Sequence, residues 1–506
     1  MLNRLAGADA VSLHRHTSTA PAHTVALIII EPAEQLSHDR LHRLVASSLP
    51  QLARFRSRLV GKPLGMGQPV WAEIDGYDPT PQINRVTVRS PGGRFELAGL
   101  IGALSAQRQR RRQPLWQAWS IDGLAGGCWA LAVKMSPLLN PSDPGAASIW
   151  SRLLTGGPDD DPVDNLPSEP SLGAAPSLGE LTTDAVTELV ENQAAGMWLM
   201  TEAVAGVVQT LRRRLRGTNE VDSIGPAASS ARNSFLQNMF NAPMTRRRKV
   251  AFASVPLTDI QAVSTAFGSN TANVFLAACT LSLRHWLQRY DAVPDEPLLM
   301  RVPLSDPARD PAVRGNRLTT GVIRLPVQLE DPVAILTNLH TATERLSQAS
   351  RDNDDESADA DFATIASLFP PVVTHRSMQL YERLRPAARW FAPICLGGVS
   401  YLSGTAAPAY CAGAKVVGMH TATPLEERSG IRIAVTSHDD VMDLCVTVCP
   451  DNVPEVDAIA TGVADAVDVL VAAAHRSPRG TGRSVVTEMT SHIEKRWQAQ
   501  RRERSH

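Results

Sequence analysis

The sequence predicts an α/β chain made of two sheet-and-helix halves with a loose connection between them. Three observations carry this. Strand-like apolar runs alternate with helical patterns over residues 1–155, and the alternation resumes from 249 to 480. Between them, residues 156–248 are rich in Gly, Pro, Asp and Ser at both ends and hold one long helical pattern. At 506 residues the chain also exceeds what one hydrophobic core ordinarily serves.

The elements follow in order. Thr24–Ile30 is an unbroken apolar run too short to cross a bilayer, so it reads as a buried strand. Asp39–Leu49 places Leu41, Leu44, Val45 and Leu49 at helical spacing. The glycines of GKPLGMGQP (Gly61, Gly65, Gly67) lack the strand-to-helix setting of a phosphate loop and predict a turn. Trp129–Met135 is a second buried strand, ended by Pro137. Gly145–Leu154 has a helix pattern with Ala146, Ile149, Trp150 and Leu153 on one face. Gly156–Gly179 is a linker. Leu181–Leu215 is a long helical stretch whose Arg212, Arg213, Arg214 and Arg216 complement a helix C-terminus. Residues 217–245 form a second loose connection. Arg351–Asp361 is an acidic, solvated loop without calcium-loop spacing. Residues 481–506 are a polar tail, basic at Arg501, Arg502 and Arg504.

Composition excludes several classes. Charged residues make up 20% and hydrophobic ones 43%, which is globular rather than disordered. A net charge of -1 gives no field for nucleic acid. The six cysteines are scattered in apolar surroundings without zinc spacing, as buried free thiols in a reducing cytosol would be. The run RQRRRQ (Arg108–Gln113) could meet phosphates or an anionic surface, but reads first as a solvated loop.

Several phrases, in order along the chain, resemble one family. They are RLAGADAVSLHRHTSTAPAHTVALIIIEP near the start, Ala53–Trp71, and PLWQAWSIDGL with Pro114, Leu115 and Trp116. Further on come Arg314–Pro332 with Asn316 and Arg317, Ala409–Leu425, and Cys449–Ile459. Together they resemble the bacterial wax ester synthase/diacylglycerol acyltransferase family. The resemblance implies an α/β (α+β) fold of two chloramphenicol-acetyltransferase-like halves packed around a central channel. It implies long-chain acyl-CoA as substrate, diacylglycerol or a fatty alcohol as acceptor, and no cofactor. It also implies a cytoplasmic protein peripheral to the inner membrane face or a lipid-droplet surface, with no span or anchor visible. Pro114, Leu115, Trp116, Asn273, Asn316 and Arg317 are the structural or channel residues it points to.

The family's HHxxxDG motif falls on Ser136–Ser142. Ser136 and Pro137 stand where the two histidines belong, and Pro141 and Ser142 stand where Asp-Gly belongs. The family's Asn-Asp pair appears as Ala272-Asn273, and its SNVPGP loop as Ser400–Thr405. A hydroxyl attacks a thioester poorly until its proton is taken, and a histidine titrating near neutrality suits that task. Neither Ser136 nor Pro137 can serve. Asp143 is the nearest carboxylate and reads first as a helix N-cap. His420 is a candidate to face the channel and His438 lies near a turn; both read first as satisfied core or surface histidines. Two functions stay open: an acyl-CoA:diacylglycerol O-acyltransferase by descent, and a catalytically silent lipid- or acyl-CoA-binding paralogue acting through a partner. A condensation-type acyltransferase of the same fold is the remoter alternative.

Overall fold

The computed structural model describes residues 2–5, 9, 19–65, 67–109, 113–139, 147–160, 168–191, 231–303, 320–352, 395–402, 404–405, 407–427 and 429–476. Several expectations lie outside them: Pro141, Ser142, Asp143 and Gly145, the arginines of 110–112, the helix beyond 191, Asn316 and Arg317, most of the acidic loop, and the tail.

The first strand, β1 (Thr24–Ile30), forms where the apolar run predicts it. Its alternate faces enter two different cores. Ala26, Ile28 and Ile30 pack with Leu41 and Val45 of helix α1 (His38–Ser48). Val25 and Leu27 pack on the other face. A strand covered on both faces reads as continuous apolar sequence rather than as an alternation. Helix α1 starts at Ser37, whose side chain accepts from the Arg40 amide at 3.2 Å.

A small ribbon, β2 (Ser57–Val60) and β3 (Val70–Glu73), follows. Then come β4 (Ile83–Thr87), α2 (Arg94–Ala106), β5 (Trp116–Asp122), β6 (Trp129–Met135) and α3 (Ala147–Leu153). Residues 178–191 form helix α4. The second half holds α5 (Ala231–Phe240), β7 (Lys249–Pro256), α6 (Leu257–Phe267), α7 (Thr271–Gln288), β8 (Leu298–Pro303), β9 (Thr320–Leu325) and α8 (Pro332–Asp352). It closes with β10 (Cys395–Leu402), β11 (Tyr410–Cys411), β12 (Ala414–Ala422), β13 (Ile431–His438), β14 (Val441–Val448) and α9 (Val456–Arg476). Arg351 and Asp352, placed by sequence in the acidic loop, continue α8 by half a turn.

Two six-stranded mixed sheets result, ordered β11-β12-β1-β6-β5-β4 and β7-β14-β13-β10-β8-β9. The sequence division at 249 does not coincide with them. The hairpin β11–β12 comes from the second half but pairs with β1 of the first, Leu27 opposite His420 and Ile28 opposite Met419. The other sheet has its own large core, including Phe275, Trp286, Leu444 and Leu470.

A shared core seals the seam between the sheets. Leu97, Ile101 and Leu104 of α2 meet Val250 and Phe252 of β7 there. Gly102 permits that approach, because a Cβ on it would lie 2.8 Å from the Arg248 carbonyl oxygen. Lys134 points into the same region, fully buried. Its ammonium donates to the last carbonyls of α2, Leu104 at 2.8 Å and Gln107. This C-terminal cap satisfies carbonyls that the helix itself cannot.

Burial pushes the Lys134 ammonium down to about 8 from the ordinary 10.5. The fold therefore holds this proton less tightly than the unfolded chain does. Between those two values the unfolded chain is protonated and the folded one is not, so this site's contribution rises with pH across the window. The full swing is about 3 kcal/mol. Relative to a Lys134→Met variant, the wild-type unfolding free energy is expected to improve by that amount between pH 8 and 10.5. A difference that stays flat with pH would show that Lys134 keeps an ordinary proton affinity.

Candidate active site

The candidate site lies at the C-terminal end of β6, where Met135 pairs with Trp116 of β5. Residues of the PLW phrase hold this end in place. The Ser136 amide donates to the Leu115 carbonyl at 2.9 Å. Trp116 is fully buried, donates its indole N–H to the Phe55 carbonyl at 2.7 Å, and packs on the Phe55 ring. The Gln82 amide donates to the Trp116 carbonyl at 2.6 Å and the Pro114 carbonyl at 3.2 Å. Sequence reasoning passed over Gln82, whose only signal was a polar residue directly before a short strand.

Past Ser136 the chain makes a tight turn, Pro137–Leu139. Ser136 is buried, and its hydroxyl oxygen faces the Leu138 amide at 3.4 Å. Arg54, from the Ala53–Trp71 phrase, donates to the Leu138 carbonyl at 2.7 Å and lies over the Trp71 ring. The buried Asp9 carboxylate stands 3.6 Å from the same guanidinium. Burial raises the Asp9 carboxyl above the usual range, against the pull of Arg54. Four separated stretches of the first half thus converge on one turn. At its start stand a serine hydroxyl and a proline ring, neither of which takes a proton near neutrality.

The two altered segments of the second half meet each other. Asn273, buried in the first turn of α7, contacts His340 Nδ1 at 3.3 Å and accepts from the Thr343 hydroxyl at 3.0 Å. The buried side chain therefore ties α7 to α8. Tyr401 of β10 donates its hydroxyl to the Ala272 carbonyl at 2.8 Å.

His420 does not join the β6 end. It lies across β1 from β6, level with Ala132. Strand spacing puts it about 13 Å along the sheet from Ser136 and about 10 Å across it. It is buried and stacked on Phe252, ring centroids 4.5 Å apart at 27°. Burial lowers its proton affinity, opposed by the Asp443 charge and by a hydrogen bond to the Leu444 backbone, and reinforced by nearby His438. The imidazole is thus held neutral. Asp443 itself is buried, accepts from the Met419 amide at 2.6 Å and from Ser254, and lies 3.2 Å from His438 Nδ1.

Two family models cover most of the chain. The wax ester synthase/diacylglycerol acyltransferase catalytic domain matches residues 5–275, and the WS/DGAT C-terminal domain matches residues 314–470. The chain belongs to this family. Among its relatives, a Mycobacterium tuberculosis protein named as a diacylglycerol O-acyltransferase is 28% identical over 92% of this chain and 94% of its own length. A second from the same organism is 25% identical over 88% of this chain and 92% of its own. Of solved structures, the wax ester synthase/diacylglycerol acyltransferase from Marinobacter aquaeolei VT8 covers 94% of this chain and 100% of its own, with a TM-score of 0.63 at 22% identity. The first condensation domain of the calcium-dependent antibiotic synthetase aligns over 95% of this chain and 98% of its own, with a TM-score of 0.51 at 12% identity. The WS/DGAT chain has the two-lobed, chloramphenicol-acetyltransferase-like fold of these proteins. Among the described residues, no helix is long and apolar enough to cross a membrane.

Proposed function

We propose that this WS/DGAT chain transfers a long-chain acyl group from acyl-CoA to the hydroxyl of diacylglycerol or a fatty alcohol, slowly, because no histidine stands at the head of its motif turn. The observation that carries the reading is the contrast at the end of β6. The frame around Leu115, Trp116 and Arg54 is held by hydrogen bonds, while Ser136 and Pro137 offer no base. In the reaction, the acceptor oxygen attacks the thioester carbonyl, the C–S bond breaks, and the hydroxyl proton ends on the leaving CoA thiol. Losing a positioned base costs about 10²–10⁴ in rate, or roughly 3–5 kcal/mol. Positioning of the two substrates would remain and can itself supply several kcal/mol.

The same contrast supports a second reading, a silent paralogue that binds lipid or acyl-CoA and acts through a partner. Contact with a lipid surface suits either reading. Helix α4 exposes Leu178, Val186, Leu189 and Val190, apolar side chains of the kind a membrane or droplet surface covers.

The deciding experiment is CoA release from palmitoyl-CoA with diacylglycerol, beside a relative that carries HHxxxDG. The expected result is turnover about 10²–10⁴ below that relative. No release with acyl-CoA still bound would select the silent reading. No release and no binding would overturn both.

A further inference from the structure

Strand register in the second sheet lines up one row of residues across all six strands. The row runs Val250, Thr447, Arg432, Gly398, Arg301, Val322, on β7, β14, β13, β10, β8 and β9. Residues paired across strands share a face, and their neighbours along each strand point the other way. Those neighbours, among them Ala251, Val446, Ile433, Val399, Met300 and Ile323, belong to the core built with α7 and α9. The row therefore lies on the face turned away from these helices. At one end Val250 enters the seam core with α2, and at the other Val322 is exposed. Between them two arginines flank a glycine. Arg301 and Arg432 meet at the carboxylate of Glu426, which is bonded to Arg301 and stands 3.9 Å from Arg432 Nη1. Gly398 leaves the room for this, because a Cβ on it would run into Arg432 Nη1. The side chain of Arg301 is 38% exposed and that of Arg432 22%, so solvent reaches both. Arg324, opposite Leu299, adds an exposed guanidinium on the same face. The adjacent Glu427 turns instead to Thr19, whose hydroxyl donates to it at 3.2 Å.

We propose that Arg301 and Arg432 form a phosphate-binding site, with Arg324 at its rim. The carboxylate of Glu426 shows what the pair is shaped for, an oxyanion set between two guanidiniums. Glu426 brings one negative charge, whereas a phosphate monoester or diphosphate brings more charge and more acceptor oxygens, and guanidiniums take these in pairs. A carboxylate ligand would only match the group already there. The position of Glu426 also says where the site opens. Strands β12 and β6 both run antiparallel to β1, and Ala422 and Lys134 both pair with Val25. Glu426 follows Ala422 by four residues, a reach of at most about 14 Å. The arginines thus lie toward the end of the first sheet from which the motif turn leaves. A phosphate can arrive there on a lipid, as on the phosphorylated form of a diacylglycerol, or on a nucleotide, as on CoA. Binding of either needs no acyl transfer, so the site stands whether or not the reaction proposed above occurs.

Calorimetry on the full chain tests the assignment with two phosphorylated probes and their uncharged counterparts: dihexanoyl phosphatidate beside dihexanoylglycerol, and adenosine 3′,5′-bisphosphate beside adenosine. At least one phosphorylated probe should bind saturably, about tenfold or more tighter than its counterpart, and less tightly as salt is added. The tighter of the two identifies the source. Arg301→Gln and Arg432→Gln should each weaken that probe by about ten- to a hundredfold, the range for hydrogen bonds to charged groups. Glu426→Gln should act in the opposite direction. It deletes the competing carboxylate and no cation, so binding should tighten by about two- to fivefold. If either arginine variant fails to fold, the sign of the Glu426→Gln effect decides alone, since arginines present only to pair with Glu426 would gain no phosphate affinity from its loss. No preference for phosphate with either pair of probes, full affinity in a folded arginine variant, or binding unchanged or weakened by Glu426→Gln would each overturn the proposal.

Discussion

Restoring both histidines, Ser136→His with Pro137→His, is expected to raise CoA release by about 10²–10⁴, the range that a positioned general base contributes. The backbone frame of the turn is already in place, and the ring at the buried Ser136 must make its own room. The Ser136 amide already holds the Leu115 carbonyl, and Arg54 already holds the turn at Leu138. Neither contact uses the side chains being replaced. Pro137 is half-buried at the head of the turn, so a larger ring there need not displace the core. The rate should follow the protonation of a group near neutrality, which the parent has no reason to show at this position. Unchanged turnover in a folded, acyl-CoA-binding double variant would mean that the missing base is not what limits this chain.

The largest expected loss of stability comes from Lys62. Its side chain is fully buried against Asp184, at 2.6 Å, and Glu188. Glu188 also accepts from the Gln68 amide at 2.8 Å, and Asp184 is paired with Arg4 as well. Hydrogen bonding from Arg4, with help from Lys62 and against some burial, holds the Asp184 carboxyl below its usual range. This knot fastens α4 to the first half. Lys62→Met would leave Glu188 buried without its cation, a change that costs about 3–5 kcal/mol in comparable buried pairs. The measurement is hydrogen exchange across residues 178–191 with the overall melting temperature. Protection there should fall by at least a hundredfold. A loss under tenfold would show that Arg4 alone secures the helix.

Some of this was legible in the sequence, and the reason differs from element to element. The bounds of β1 and β6 follow from apolar runs that need no knowledge of their partners. The fold class followed too, because alternating strand and helix patterns are local. The placement of β12 in the first sheet was not legible, since alternation along a strand states its faces and not its neighbour. Lys62 sits in a segment read only as a glycine turn. The backbone supports that turn, with positive φ at Leu64, Gly65 and Gly67, but the lysine's acidic partners lie more than a hundred residues away. Ser254, His420, His438 and Asp443 come from four strands with no common spacing, so no motif could announce their meeting. Gln82 and Arg54 act through backbone carbonyls, which leave no trace in a neighbour's identity.

The pairing of β12 with β1 sets a timetable for the ribosome. Ile28 emerges early, but its partner Met419 is 391 residues further along the chain. At about 5–20 residues per second, β1 waits roughly 20–80 seconds for that edge to be covered. Throughout this interval a strand of branched apolar side chains presents an unpaired backbone, the condition under which nascent chains associate wrongly. The first half expressed alone would carry the same open edge permanently. Supplying residues 395–476 as a separate piece would be the direct way to close it.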